Sequence, residues 1–199
     1  MLQMRIVAGT AKGTRLKMVP GNHVRPTSDR VKESLFSILG PFFTGGWVLD
    51  LFAGTGSLGL EALSRGMERG FFIDQSRTSC KTIRDNVNLC KMQDQVEVYC
   101  QNARVALNRL AQRKLKFDLV FLDPPYDQPL LIPSIEQIAK SKLLADEGLI
   151  VAEHQSRREL PEVIETLTAY RRLNYGETAI TLYRQQKEDE RDEDSSISR

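Results

Sequence analysis

Residues 119–126 run Leu-Val-Phe-Leu-Asp-Pro-Pro-Tyr and set one carboxylate where an apolar run stops. Leu119 to Leu122 read as a strand that delivers Asp123 to a sheet edge. Pro124 and Pro125 have no N–H and a restricted φ, so the strand cannot continue through them. The result is a rigid turn with acceptors, the Asp123 carboxylate and the carbonyls near Pro124, beside the aromatic face of Tyr126. Such a group suits a planar base carrying an exocyclic amino group. The acceptors hold the two N–H bonds and the ring stacks. An ordinary strand end with a proline turn would use the same residue types, which is the ambiguity of any short motif.

A second motif narrows the reading. Residues 47–61 run Trp-Val-Leu-Asp-Leu-Phe-Ala-Gly-Thr-Gly-Ser-Leu-Gly-Leu-Glu. An apolar strand enters a glycine loop, and a helix from Ser57 to Ser64 follows. Glycines allow tight turning and close approach to a ligand. The helix start adds free N–H groups and a positive dipole end. Gly54, Gly56 and Gly59 match the dinucleotide fingerprint, and Asp74, closing the strand Gly70–Asp74, stands where an acid grips a ribose hydroxyl. Asp50 lies just before the loop. A carboxylate there repels a pyrophosphate and suits a cation, and S-adenosylmethionine carries both a sulfonium and an ammonium group.

The order of acid, glycine loop, second acid and Asp-Pro-Pro-Tyr resembles the amino-methyltransferases with a Rossmann-like fold. The N-terminal third narrows this further. It holds Arg5-Ile6-Val7-Ala8-Gly9, Lys12-Gly13, Arg15-Leu16, and the block from Arg25-Pro26-Thr27-Ser28-Asp29-Arg30 to Phe36. Together with Asp50–Glu61 and Asp123–Tyr126, it resembles the RsmD family, the bacterial small-subunit (16S) ribosomal RNA guanine-N2 methyltransferases, over roughly residues 4–185. Ala8 and Ala11 depart from the family pattern.

The resemblance implies S-adenosylmethionine as cofactor, S-adenosylhomocysteine as product, and no metal. It implies cofactor contacts from Asp50, Phe52, Ala53, Gly54, Thr55, Gly56, Asp74, Asn102 and Ala103. In this scheme Asp50 holds the methionine end, Asp74 the ribose, and Asn102 with Ala103 the adenine. It implies a catalytic group of Asp123, Pro124, Pro125 and Tyr126 acting on a base that is unpaired or flipped out of its helix. The RNA-binding set is Arg5, Lys12, Arg15, Lys17, Arg25 and Arg30, with Arg25 and Arg30 also suited to the cofactor carboxylate. The expected partner is the small ribosomal subunit or an assembly intermediate, met by a monomer.

The elements that position these residues alternate. Asp29–Leu39 reads as a helix with Val31, Leu35, Ile38 and Leu39 on one face, ended by Gly40-Pro41. Strands at Trp47, Gly70–Asp74, Val96–Cys100, Leu119–Leu122 and Leu149–Glu153 are separated by helices Ser57–Ser64, Ser76–Cys90, Ala103–Gln112 and Leu130–Lys140. Leu167–Tyr175 and Thr178–Tyr183 form a closing pair about Gly176. This is an α/β pattern with a mostly parallel seven-stranded sheet, helices on both faces and one antiparallel addition. Residues 4–19 read as a hairpin turning at Gly9 and Gly13. The expected units are a basic extension over 1–45, a methyltransferase domain over 46–185, and an acidic, disordered tail over 186–199.

Charge and composition set the limits. The 199 residues are 41% hydrophobic and 27% charged, enough for one domain with its own core. Net charge is only +2, but residues 1–35 hold seven basic against two acidic side chains, the footprint expected for a phosphate backbone. A solvated lysine-rich surface is the plainer alternative. No apolar run approaches the ~20 residues that span a membrane. The opening residues lack the make-up of a signal peptide, so the cytoplasm is the expected compartment. Cys80, Cys90 and Cys100 lack metal-ligand spacing and read as buried thiols. His23 and His154 read as non-catalytic.

Rival readings are a DNA adenine-N6 methyltransferase, a protein-glutamine methyltransferase, a nicotinamide oxidoreductase and a non-catalytic RNA-binding assembly module. The first lacks room for a target-recognition domain. The second more often has Asn at the position of Asp123. The third leaves Asp50 and Asp-Pro-Pro-Tyr unexplained, and the fourth leaves the whole site unexplained.

Overall fold

Parallel strands alternate with helices along most of the chain. The computed structural model describes residues 4–21 and 29–186. His23, the stretch Arg25-Pro26-Thr27-Ser28 and the acidic tail from 187 on lie outside the described residues. The helices are α1 Asp29–Leu39, α2 Ser57–Ser64, α3 Arg77–Leu89, α4 Ala103–Gln112 and α5 Leu131–Lys140. The strands are β1 Trp47–Asp50, β2 Arg69–Asp74, β3 Val96–Cys100, β4 Phe117–Leu122, β5 Leu144–Gln155, β6 Val163–Ile164, β7 Leu167–Tyr175 and β8 Thr178–Gln185.

Local chemistry explains several boundaries. The Ser76 hydroxyl accepts from Ser79 N at 3.2 Å and opens α3, and the Asn102 side chain accepts from Val105 N at 2.9 Å and opens α4. At the far end of α1, Gly40 takes φ +123° and Pro41 follows, so the helix stops.

The sheet runs β3-β2-β1-β4-β5-β8-β7-β6, parallel from β3 to β5 and antiparallel beyond. It has eight strands rather than the seven expected. The addition is the two-residue β6, too short to give a periodic pattern. Alternation sorts the buried side chains between two cores. Val48, Phe72, Leu119, Phe121 and Val151 pack with α1, α2 and α3 through Phe36, Leu60 and Ile83. Leu49, Phe71, Val120, Leu122 and Ile150 pack with α4 and α5 through Leu107, Leu110 and Ile135. Each such side chain contributes about 1.5–3 kcal/mol on leaving water. The strand order reverses between β1 and β4, and a crevice opens beyond their carboxyl ends.

The N-terminal hairpin is shorter than expected. Its pairing is the single bridge Arg5↔Arg15, with Leu16 N bonded to Met4 O at 2.9 Å and Gly13 N to Ile6 O at 2.8 Å. Val7 N and Ala8 N instead donate to the two carboxylate oxygens of Glu61, at 2.9 and 3.0 Å. Glu61 sits fully buried in α2, where it also accepts from Arg65 Nε at 2.9 Å and lies 3.5 Å from Lys32 Nζ. A buried carboxylate needs such partners, and it takes them from the arm.

Lys32 therefore leaves the basic arm. It is fully buried, bonded to Arg5 O and Ser57 Oγ, with burial pushing its pKa down against the pull of Glu61. It cannot meet a phosphate. Cys100 also differs from expectation: Cys80 and Cys90 are buried, but Cys100 is exposed at the end of β3. His154 is buried and satisfied by Thr181 Oγ1 at 2.8 Å and Gln155 O at 2.9 Å. Among the described residues, no helix is long and apolar enough to cross a membrane.

Candidate active site

Three neighbouring strands bring three acids to the crevice. Asp50 ends β1, Asp123 follows β4, and Glu153 lies on β5. All three continue the strand positions that face α1, α2 and α3, two residues beyond Val48, Phe121 and Val151. They line one open cleft of about 2070 Å³. That exceeds the roughly 300–1,000 Å³ of a typical small-molecule site and leaves room for a cofactor and a second planar group.

Among the described residues, no cation forms an ion pair with this trio. Asp50 is buried and accepts one hydrogen bond, from Gly59 N at 3.1 Å. Burial pushes its carboxyl up to about 7, with Asp74 adding to the shift against the Gly59 bond. Asp123 is pushed well above the carboxylate range, first by burial and then by the charges of Glu153 and Asp50. Burial also raises Glu153, against a hydrogen bond from Tyr126. Such a site is poised for positive charge or for N–H donors.

The glycine loop joins Asp50 to α2. Gly54 and Gly56 take φ +56° and +79°, the left-handed region that side chains avoid. Gly54 N donates to Asp74 Oδ2 at 2.9 Å, and Ser76 N donates to the other carboxylate oxygen at 2.8 Å. Asp74 thus braces the loop and lines the cleft, and each of its oxygens keeps a lone pair beyond these bonds. Gly59 serves packing instead. A Cβ there would stand 2.4 Å from Phe72 Cε1. Gly59→Ala should therefore lower the unfolding free energy by about 1–3 kcal/mol. Urea midpoints of the two proteins check this, and an unchanged midpoint would mean that Phe72 yields without cost.

The remaining wall comes from three places. Phe52, Ala53 and Thr55 line the cleft with Gly54, whereas Gly56 does not and serves to start α2. Asn102 and Ala103 line it beyond β3, although the Asn102 side chain is engaged in capping α4. Pro124, Pro125 and Tyr126 lie opposite. Tyr126 is 43% exposed, enough to offer its ring for stacking on a ligand. Its hydroxyl is tethered 3.3 Å from Glu153 Oε1 and 3.3 Å from Thr178 Oγ1. Burial pushes this phenol up to about 12, with Glu153 and Asp123 adding to the shift against the Thr178 bond.

Of the basic set, Arg5, Lys12, Arg15, Lys17 and Arg30 are exposed, and Arg25 lies outside the described residues. None of those five lines the cleft, but Met18 to Gly21, which continue from them, do. Two of the charges are already engaged: Arg5 Nε lies 2.8 Å from Asp29, and Lys17 Nζ 3.0 Å from Asp85. Thr55, in the glycine loop, touches the arm through Met4 Sδ at 3.2 Å. Asn86 bonds both Lys17 O and Thr55 O, so arm and loop share one clamp.

Sequence reasoning passed over three residues here. Glu153 had a visible signal, an acid closing a parallel strand as Asp50 and Asp74 do. Thr178 had none. Gln101 precedes Asn102, and its Oε1 is buried without a hydrogen-bond partner among the described residues. Among the described residues, no group of three or more His, Cys, Asp or Glu side chains is placed to hold a metal ion.

Comparison with known proteins gives the lineage. A family model described as Conserved hypothetical protein 95 matches residues 4–184. The Bacillus subtilis protein named "Putative rRNA methyltransferase YlbH" is 42% identical over 181 residues, covering 91% of this chain and 98% of the relative. The Escherichia coli K12 protein named "Ribosomal RNA small subunit methyltransferase D" is 35% identical over 196 residues, covering 96% and 95%. The solved structure called "Putative methyltransferase yhhF from Escherichia coli" superposes with TM-score 0.80 at 35% identity, covering 92% of this chain and 98% of that one.

Proposed function

The chain belongs to the RsmD family, and on that premise we propose that it transfers a methyl group from S-adenosylmethionine to the N2 amino group of a guanine in small-subunit ribosomal RNA. Relatives named as ribosomal RNA methyltransferases support the reaction class and the substrate. The observation that carries the amino-group reading is the acid trio, Asp50, Asp123 and Glu153, beside the Pro124-Pro125 turn and the exposed Tyr126 ring.

The cofactor fits the residues present. Asp50 takes its cationic methionine end, Asp74 has lone pairs left for a ribose hydroxyl, and Asn102 and Ala103 flank the adenine. The orphan Gln101 Oε1 would gain a donor in the adenine amino group. When bound, S-adenosylmethionine supplies a methyl group already activated by its sulfonium. The rest falls to the protein. Asp123 and the carbonyl of Pro124 accept the two N2–H bonds, which localises the nitrogen lone pair and aims it. Asp123 then takes up the proton that N2 sheds, a role its raised proton affinity favours. Tyr126 stacks on the base. Most of the rate gain comes from orientation and fixed polarity. Calorimetry should show binding of S-adenosylhomocysteine and none of NAD; tight NAD binding with no S-adenosylhomocysteine binding would sink the reading.

The arm bordering the cleft supplies the RNA contact in this account. Lys12, Arg15 and Arg30 are exposed, whereas Arg5 and Lys17 are held by acids. Changing the first three to Gln should flatten the log–log salt dependence of small-subunit binding by about 0.7–0.9 per charge removed. None of the three lines the cleft, so Arg30 is assigned to the RNA rather than to the cofactor carboxylate, and cofactor affinity should stay at the parental value. An unchanged slope would reduce the arm to a solvated surface.

A further inference from the structure

The guanine-N2 reading assigns a role to Asp123 and Tyr126 but leaves Glu153 unused. Glu153 is a half-buried acid that lines the cleft with no ion-pair partner among the described residues. Its position is set by strand register. Leu122 of β4 pairs with Ala152 of β5 as the last pair of that ladder, so Asp123, just past the end of β4, and Glu153 each stand one residue beyond it, where the two strands lie about 4.8 Å apart. Each lies two residues beyond a buried side chain of the same core, Phe121 and Val151. The two carboxyl groups sense each other, since the charge of Glu153 raises Asp123. The Tyr126 hydroxyl, 3.3 Å from Glu153 Oε1 and 3.3 Å from Thr178 Oγ1, engages one oxygen of Glu153, and among the described residues no hydrogen bond is made to the other. Glu153 is also paired across the sheet with Ile180 of β8, so its backbone does not drift.

Two acceptors side by side match one feature of nucleobases. Guanine carries N1–H directly beside its N2 amino group, two donors on one edge. Adenine carries an N1 lone pair where guanine has N1–H. A carboxylate facing that lone pair loses its hydrogen bond and stays unpaired in a poorly solvated place. Sites built to receive a donor reject analogues that lack it by large factors.

We propose that Glu153 selects guanine by accepting the N1–H of the flipped base while the neighbouring Asp123 accepts from its N2 amino group. Tyr126 is then both a stacking face and, through its hydroxyl, a positioning residue for Glu153. The inference rests on the guanine-N2 reading and goes beyond it, because Asp123 and Tyr126 alone would accept any exocyclic amine.

The test uses the full-length protein and reconstituted small subunits. The methylated guanine is first located with methyl-labelled cofactor. Subunits are then rebuilt with 2,6-diaminopurine at that one position. This base keeps the 2-amino group but presents a lone pair at N1. The parent protein should methylate guanine over diaminopurine by roughly a hundredfold or more in single-turnover rate. Glu153→Gln can turn an amide N–H toward the N1 lone pair, so its preference should shrink at least tenfold, with cofactor affinity unchanged by calorimetry. A parent protein that methylates both bases equally at the 2-amino group overturns the role of Glu153 while leaving the guanine-N2 reading intact. So does a Glu153→Gln variant that keeps the parental preference and slows both bases alike. A parent protein that places no label on any guanine N2 overturns the reading itself and this inference with it.

Discussion

Asp123→Ala should lower the single-turnover rate of methyl transfer to small subunits by roughly a hundredfold or more, the usual cost of losing one preorganised polar group aimed at the reacting atom. On the proposed mechanism, the substitution removes the acceptor of an N2–H bond and the group that would take the departing proton. It also relieves the crowding of three acids, Asp50, Asp123 and Glu153, on one sheet face. Cofactor affinity should change little, since Asp50 remains for the cationic end. Asp123→Asn should fall between the two. It keeps a carbonyl oxygen to accept N2–H but cannot accept the proton. Rapid-quench assays with labelled cofactor separate rate from binding. A near-parental rate in the Ala variant would remove Asp123 from the mechanism.

Asp50→Asn should stabilise the protein at pH 8 and cripple its cofactor binding. The Asp50 carboxyl titrates near 3.8 in an ordinary setting but is pushed up to about 7 in the fold. The folded state therefore holds this proton more tightly than the unfolded chain. Stability from this group is fully present below the ordinary value and is lost as pH rises toward and through 7. The loss is roughly 4 kcal/mol when complete. Asn cannot ionise and can still accept from Gly59 N, so the variant should match the parent near pH 4 and exceed it at pH 8. The same change would remove the charge-assisted contact proposed between Asp50 and the cofactor, roughly 1.5–3 kcal/mol, or tenfold and more in affinity. In the parent, cofactor binding should strengthen as pH rises through 7 and release protons; the variant should lack that dependence. Denaturant midpoints at the two pH values, with calorimetry in buffers of different ionisation enthalpy, check both halves. A variant less stable than the parent at pH 8 would contradict the account of Asp50.

The sequence was legible where local chemistry governs structure. The bounds of α1, α2, α4, β3 and β7 agree with expectation residue for residue, because capping residues, glycines and prolines mark them. The strand-ending acids Asp50, Asp74 and Asp123 were legible for the same reason, and all three line the cleft. The start of β5 was not. Leu144 opens it, but the exposed Asp146-Glu147 pair, followed by Gly148, interrupts the apolar pattern. Partners distant in the chain were invisible as well. Lys32 looks like one more basic residue of the arm until Glu61, on another helix, is seen beside it. Glu61 looks like a polar position on a surface helix, yet it binds the arm's Val7 and Ala8 and shortens the hairpin. Glu153 needed the β4–β5 register before its nearness to Asp123 could be noticed.

The central claim is best tested by the chemical identity of the product. The protein would be incubated with methyl-labelled S-adenosylmethionine and, separately, undermethylated small subunits, naked ribosomal RNA, duplex DNA and a release factor. Each product would then be digested and the labelled nucleoside or amino acid identified. The account predicts label in N2-methylguanosine from the small-subunit RNA. Label in N6-methyladenine of DNA, in methylglutamine, or at any guanine atom other than N2 would contradict it.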